Sequence, residues 1–170
     1  MNKIILIFVV SFFTIGLQAQ VAIGKETVNG SAILDFEHNI GGVILPVVRT
    51  MPTGAGASDG TILINGVDLA AVKAQIRING VWVDISDASR NLTGLSLNTT
   101  TDIGGGVIIG SPTSSANGVL VLESTDKALV LPKVTNAETG VKSPIVGTMV
   151  YDLSSKSVAI FDGEKWNFWK

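Results

Sequence analysis

The residue types that most often carry chemistry are few in this sequence, and they do not form a catalytic set. His38 is the single histidine, and there is no cysteine. The lack of cysteine excludes disulfide bridges, thiolate metal sites and a cysteine nucleophile. A Ser-His-Asp hydrolase needs its serine in a G-x-S-x-G elbow between a strand and a helix, and we predict no such elbow. His38 lies in a polar turn before Gly41 and Gly42. We therefore predict an exposed turn histidine and no catalytic residues.

Metal and phosphate sites are equally poorly supported. The acidic residues lack the D-x-D-x-D-G spacing of a calcium loop, so we interpret them as turn formers that bind their own backbone: Asp59, Asp84, Asp87 and Asp102. The glycine-rich stretches at 54–60 and 103–110 lead into strand-like or Ser-Pro-rich sequence. A phosphate loop leads into a helix, whose amides face the anion. We predict no metal and no cofactor.

Four aromatic residues are the candidates for a ligand or partner surface: Trp82, Tyr151, Trp166 and Trp169. Trp82 and Trp166 follow the Gly80 and Gly163 turns at matching places. A tryptophan that recurs in each repeat is usually a packing anchor that buries a large area. Exposed tryptophans also stack on sugar rings, so surface glycans are the alternative ligand class. The sequence leaves both interpretations open and favours packing.

An internal duplication dominates the sequence. When Val21 is placed over Val107, an offset of 86 residues, "VAIG" falls on "VIIG" and "VILPVV" on "LVLPKV". Further along, "GTILIN" meets "GTMVYD" and "INGVW" meets "FDGEKW". Repeats of this kind set the architecture before any other feature. We divide the chain into a first β module at 20–86, a Ser/Thr/Gly-rich linker at 87–106 and a second β module at 107–170.

Within each copy the local pattern predicts short strands and hairpins. "ILINGVDL", "IRINGVWVDI" and "AIFDGEKWNF" carry Asn-Gly or Asp-Gly between apolar, β-prone residues, which is the strongest short hairpin signal. Pro46 and Pro132 should end strands, because proline lacks the amide that a sheet ladder uses. Residues 67–75 predict a short helical turn or a lengthened loop, and a weak strand is expected around Leu95–Leu97. The fold class is mainly β with at most one short helix.

The first 19 residues predict export. A positive start at Lys3, an apolar stretch over Ile4–Leu17 and a small cleavage residue at Ala19 form a secretory signal peptide. That stretch is shorter than the ~20 residues needed to span a bilayer, so we expect no membrane span after cleavage. We predict a protein at the outer cell surface or in the medium, with the periplasm also open. A formal net charge of −2 gives no reason to expect nucleic acid.

Association of chains is expected on energetic grounds. Val43–Leu45 and Leu129–Leu131 are continuous apolar runs, and a strand that is apolar on both faces needs cover on both faces. A module of about 65 residues buries only ~60% of its unfolded surface. Because the chain has no disulfide and no predicted metal, we predict that oligomerisation completes the fold.

The ordered blocks resemble a repeat of secreted Bacteroidetes proteins of unknown function, and similar blocks occur in bacteriophage tail-fibre-like proteins. The resemblance rests on five segments: Val21–Gly24, Ser31–Asp35, Gly42–Pro46, Pro144–Asp152 and Phe161–Trp166. The first copy departs from the pattern at Val47, where a basic residue is usual, and at Ile64, where the second copy has Tyr151. The tail-fibre resemblance implies a trimeric, β-rich module.

These observations lead to a functional expectation. We expect a secreted or cell-surface structural or adhesive repeat protein without catalytic activity, assembled as a homo-oligomer, with a trimer favoured. Surface glycans or other envelope proteins are the further partners to consider. The alternative is a glycan-binding module that uses exposed tryptophans.

Overall fold

The computed structural model describes residues 20–28, 30–37, 42–87, 89–94 and 105–170. The described chain is built almost entirely from short strands. The first copy contains seven: β1 (Val21–Ile23), β2 (Ala32–Phe36), β3 (Val43–Ile44), β4 (Val47–Val48), β5 (Ile62–Asn65), β6 (Lys73–Ile78) and β7 (Val81–Asp84). A 3-10 helix, Gly54–Ala57, precedes β5.

The second copy repeats this order. Its strands are β8 (Val107–Ile109), β9 (Leu120–Leu122), β10 (Ala128–Val130), β11 (Lys133–Val134), β12 (Thr148–Asp152), β13 (Ser157–Phe161) and β14 (Trp166–Trp169). A single-turn helix, α1 (Ala137–Gly140), occupies the place of the 3-10 helix. The predicted mainly β chain with two tandem copies and at most one short helix is confirmed.

Strand pairing shows that the two copies share one topology. β1 pairs parallel with β2 and places Val21 beside Leu34. β8 pairs parallel with β9 and places Val107 beside Leu120. Both pairs therefore keep the same register across the 86-residue offset, as the duplication in the sequence requires.

Each copy also forms a four-stranded sheet of the same design. β4 runs parallel to β5, and β5, β6 and β7 follow antiparallel; β11, β12, β13 and β14 repeat this arrangement. Pro46 separates β3 from β4, and Pro132 separates β10 from β11, as predicted. Their carbonyls still join the ladder, because Pro46 accepts from the Ile64 amide and Pro132 from the Tyr151 amide, both at 2.9 Å.

Two strand pairs cross from one copy to the other. β10 pairs parallel with β2 on the edge opposite β1. β3 pairs antiparallel with the start of β12 and places Val43 beside Met149. Local sequence patterns contain no sign of this exchange, because it joins segments about a hundred residues apart.

The main core lies between the copies. Leu45, Ile64, Val72, Ala74 and Ile85 of the first copy form one buried cluster with Met149 and Ile160 of the second. Neither copy encloses this cluster by itself. The packing of one sheet on the other therefore supplies the core that a single small module lacks.

The hairpin signals produced different turns. Asn79 and Gly80 form a two-residue turn with φ of 50° and 76°, the double positive φ that Asn-Gly tolerates. The Asp-Gly of the second copy opens a wider loop, because Phe161 pairs with Trp166. Asn65-Gly66 begins a lengthened loop to β6, and the 67–75 segment forms this loop and the start of β6 rather than a helical turn.

The first residues after β7 return to the core. Arg90 exchanges backbone hydrogen bonds of 2.8 and 2.9 Å with Val72, and the Leu92 amide donates to the Leu69 carbonyl at 2.6 Å. The expected strand around Leu95–Leu97 and the signal peptide lie outside the described residues, and the division at 87–106 stays a prediction. No helix within the described ranges is long and apolar enough to cross a bilayer.

Candidate interaction surface

The equivalent sheets provide a common frame for the four aromatic residues. Trp82 lies opposite Arg77, and Trp166 lies opposite Phe161, at the same step of the two ladders. The matching of Trp82 with Trp166 is therefore correct in space. We call the sheet face that carries these tryptophans the outer face, and the face that carries Ile64 or Tyr151 the inner face.

On the outer face the two tryptophans have different neighbours. The Arg77 guanidinium lies 5.5 Å from the centroid of the Trp82 ring, within range of a cation–π contact. Phe161 replaces that arginine in the second copy, and its ring lies 5.5 Å from Trp166 at 53°. Trp82 is half-buried, whereas Trp166 is only 8% exposed.

Trp166 belongs to a small core that is confined to the second copy. This core contains Val134, Ala137, Val150 and Ala159 with Trp166. Its cover comes from α1, whose Thr139 amide donates to the Asn136 side chain at 3.1 Å, as an N-cap requires. The position of Trp166 is that of a packing anchor.

On the outer face of the first copy, polar side chains lie beside buried Leu63 instead. Asp84 accepts from the Gln75 side chain at 2.7 Å and forms an ion pair with Lys73. The hydrogen bonds from Gln75 and Lys73 hold the pKa of Asp84 below its ordinary value. The sheet position of Asp84 is that of exposed Phe168 in the second copy.

Tyr151 and Trp169 lie on the inner face, apart from the other two tryptophans. Pairing places Tyr151 beside Val158, and Val158 beside Trp169, in one row across the second sheet. Tyr151 and Val158 are half-buried, and Trp169 is 45% exposed. The structure thus divides the four predicted residues into two pairs on opposite faces.

The equivalent row of the first copy is fully enclosed. Ile64, Ala74 and Ile85 occupy the places of Tyr151, Val158 and Trp169. All three are buried in the shared core, in the same cluster as Met149 and Ile160. The second copy carries the same kind of row without an equivalent cover among the described residues.

A polar contact closes one end of the shared core. Arg90 Nε donates to Asp162 Oδ2 at 2.9 Å, and Asn167 Nδ2 donates to the same oxygen at 2.7 Å. Burial raises the pKa of Asp162, but the Lys165 amide, Asn167, the Glu164 amide and the Arg90 charge outweigh it and hold the pKa below its ordinary value. This contact attaches the residues after β7 to the second sheet.

Ser58 does not lie in the strand-to-helix turn that a catalytic serine of this kind occupies. Gly56–Gly60 does match the letters of a G-x-S-x-G turn, a point that the sequence reasoning missed. The order is reversed, however, because a 3-10 helix precedes Ser58 and β5 follows it. Ser58 Oγ donates to the Ala55 carbonyl at 3.0 Å. His38 lies outside the described residues.

The candidate metal ligands are also dispersed. The part of the chain that the structure describes contains no group of three or more His, Cys, Asp or Glu able to hold an ion. Asp59 is a turn residue, whose Oδ1 accepts from the Gly80 amide at 2.9 Å. Asp102 lies outside the described residues. A groove of about 380 Å³ lies beside β2 and is lined by polar residues and Ile33, without any of the four aromatics.

The geometry defines a mainly β tandem-repeat protein, and the described residues enclose the inner row of its second copy only in part. Comparison with known families agrees with this class. Residues 108–170 match the family model described as a phage tail like trimerisation region. The second copy is therefore similar to a tail-fibre-like module, while the first copy lies outside the matched residues. No curated protein and no solved structure matches the chain.

Proposed function

We propose that the protein is an exported homotrimer that serves as a structural or adhesive module at the cell surface, without catalysis. The observation that carries the proposal is the match of residues 108–170 to a trimerisation region. That match covers the copy whose inner row, from Tyr151 to Trp169, is only partly enclosed. Self-association is therefore the activity that this surface supports best.

Exposed apolar side chains support association. Val107 is 58% exposed and Val119 is 65% exposed, and both belong to the β8–β9 region. The Val107 amide donates to the Val119 carbonyl at 3.0 Å, so the two exposed residues are neighbours, and exposed apolar side chains that adjoin one another often mark an interaction site. In a homotrimer, each chain would cover this surface on a neighbouring chain, so that no other protein would be needed.

Export and surface location rest on the predicted signal at residues 1–19 and on the resemblance to secreted Bacteroidetes repeats. Delivery outside the cytoplasm also agrees with a chain that contains no cysteine, since its fold does not depend on the redox state of its compartment. The outer surface is the favoured location, and the medium or the periplasm would serve the same assembly.

The decisive experiment is the molar mass of the mature protein in solution. Analytical ultracentrifugation over a wide range of chain concentrations should give three chains per particle. A particle that remains a single compact chain at all concentrations contradicts the proposal. Protease treatment of intact cells, with a periplasmic protein as the control, should degrade the protein if it is exposed at the surface.

A glycan-binding module is the second candidate, favoured by the exposure of the Trp169 ring. The wild-type protein, Trp169→Ala and Phe168→Ala should be compared on a glycan array. Loss of a defined glycan signal in Trp169→Ala alone supports this candidate, because Phe168 is similarly exposed but lies on the outer face. Absence of any signal from the wild-type protein removes it.

A further inference from the structure

We propose that a second copy of this chain fills two open strand positions, with β3 of one chain on β9 of another and β10 of that other chain on β5 of the first. The inference rests on the proposed homo-oligomer and names its interface. It follows from the contacts between the two copies within one chain, which show what each strand edge binds.

The internal contacts serve as the template. β10 lies on β2, with Leu129 beside Leu34, and β3 lies on β12, with Val43 beside Met149. By the duplication, β3 corresponds to β10, β2 to β9 and β5 to β12. Each copy therefore has the same two edges. Among the described residues of one chain, β9 and β5 lack the strand that their equivalents bind.

β9 presents an unpaired ladder. β8 and β9 form a two-stranded sheet among the described strands. The Val119 carbonyl and the Glu123 amide both bond to β8. Because successive residues of a strand direct their backbone groups to opposite edges, Leu120 and Leu122 direct theirs away from β8. Such an edge is a template for another strand, and Leu120 is 42% exposed.

The start of β5 has the same backbone conformation as the start of β12, which binds β3. Gly147, just before β12, has φ +87°, and a Cβ there would lie 2.7 Å from the Leu45 carbonyl of the adjoining β3 segment. Its equivalent, Gly60, has φ +88° and no atom within 4 Å of the same point. The backbone conformation is kept, but none of the described residues takes the place of the β3 segment there.

The inner faces complete the match. Met149 and Ile160 share the main core with Ile64 and Ile85. Their first-copy equivalents, Ile62 and Ile76, are only partly buried. A neighbouring chain that docks through β5 would lay Ile62 and Ile76 over the row of Tyr151, Val158 and Trp169. Of the four aromatics predicted as a partner surface, Tyr151 and Trp169 therefore belong to the proposed contact between chains.

The register follows from the template. Val43 of one chain should lie beside Leu120 of the next, and Leu129 of that chain beside Ile62 of the first. Such head-to-tail contacts close into a ring when the rotation between chains allows it. Three contacts around a threefold axis would fill both the β9 and the β5 position in every chain and would account for a trimer.

Paired cysteines test the register directly, because the chain has no cysteine of its own. Val43→Cys and Leu120→Cys are prepared as separate chains with tags of different mass, unfolded together, refolded together and oxidised. Adjacent strands lie about 4.8 Å apart, within the Cα separation that a disulfide spans. We expect a mixed disulfide dimer in high yield. Val67→Cys with Leu120→Cys is the matched control, since Val67 is 52% exposed and lies away from the proposed contact.

The outcomes separate this inference from the proposed function. A trimer that yields no more mixed dimer than the control overturns the inference and leaves the trimer standing. A chain that stays monomeric overturns both. When Val43→Cys and Leu120→Cys are combined in one chain, the cross-linked ladder should end at three chains, and a ladder that continues further contradicts ring closure.

Leu120→Pro provides an independent test. Proline removes one amide from the open edge and leaves the β8 ladder intact. We expect a folded monomer, with an unchanged circular dichroism spectrum. A variant that is folded and still trimeric contradicts the docking of β3 on β9.

Discussion

The two copies have the same strand order and the same registers, yet they bury different faces. In the first copy the inner row of Ile64, Ala74 and Ile85 is enclosed by the second copy. In the second copy the equivalent row ends in exposed Trp169. The burial of a position in a repeat is therefore decided by its place in the array, and not by the fold of the repeat alone.

On the outer faces the second copy is the one whose tryptophan is buried. The second copy has its own small core around Trp166, closed by α1. The first copy carries a polar cluster around Asp84 at the same place. The second copy is therefore apolar on both faces, with α1 over its outer face and a partly exposed row on its inner face. This copy is also the one that matches a trimerisation region.

The largest effect is expected at the tryptophan pair. Trp166→Ala removes a buried ring and should lower the free energy of unfolding by about 3–5 kcal/mol. Trp82→Ala should cost about 1–2 kcal/mol, because Trp82 is half-buried and loses mainly the Arg77 contact. Urea unfolding followed by circular dichroism measures both. Equal losses would contradict the distinction between the two outer faces.

The inner rows give the next comparison. Ile64→Ala should lower the free energy of unfolding by about 2–5 kcal/mol at every chain concentration, because its core is formed within one chain. Tyr151→Ala should weaken association, so that its effect on the unfolding midpoint grows with chain concentration. Unfolding curves over a hundredfold range of concentration distinguish the two. A concentration-independent loss in Tyr151→Ala would place that ring in the chain's own core.

The contact between Arg90 and Asp162 predicts a pH dependence. The folded-state pKa of Asp162 is lowered, so its contribution is complete above the ordinary carboxyl pKa and is lost as the pH falls through the lowered value. Arg90→Gln should cost about 1–3 kcal/mol at pH 7, as expected for a hydrogen bond to a charged group. Unfolding from pH 7 to pH 2 measures the loss.

Asp162→Asn is the control for that dependence. Asp84 also has a lowered pKa and contributes its own acid loss. Because Asp84 is present in both proteins, the difference between wild type and Asp162→Asn reports on Asp162 and should shrink as the pH falls. A difference that stays constant across the range would show that Asp162 titrates normally in the folded chain.

The smallest effect is expected on the polar outer face. Asp84→Asn removes an exposed ion pair with Lys73, and such pairs contribute about 0.2–1 kcal/mol. High salt should remove most of the difference, since exposed charges are screened. Thermal unfolding in low and high salt measures it. A loss well above 1 kcal/mol would mean that this face is not a solvated surface.

Much of the architecture could be predicted because it is written locally. The 86-residue duplication fixed the equivalence of the copies, Pro46 and Pro132 marked strand ends, and Asn79-Gly80 marked a tight turn. The Asp-Gly turn was wider than expected, because the Asp162 carboxylate accepts from the Glu164 and Lys165 amides. That local bonding draws two more residues into the loop.

The candidate surface was harder to predict, because it depends on contacts between distant segments. The sequence singled out the four aromatics and matched Trp82 with Trp166 correctly. It could not distinguish buried Trp166 from exposed Trp169. Trp166 is buried because α1 covers it, and Trp169 is exposed because none of the described residues covers that end of the inner row. Residues 67–75 form the lengthened loop and the start of β6; a lengthened loop was one of the two alternatives predicted there, and Val72 pairs with Arg90.

The exchanged strands have a consequence for how the chain is made. β2 pairs with β10, and β3 pairs with β12. The first copy therefore cannot complete its strand pairing until the second copy has been synthesised. Contacts this distant in sequence form slowly. A nascent polypeptide that ends before β10 would lack both exchanged pairings and the shared core, so it should reach its native fold only after the second copy has emerged.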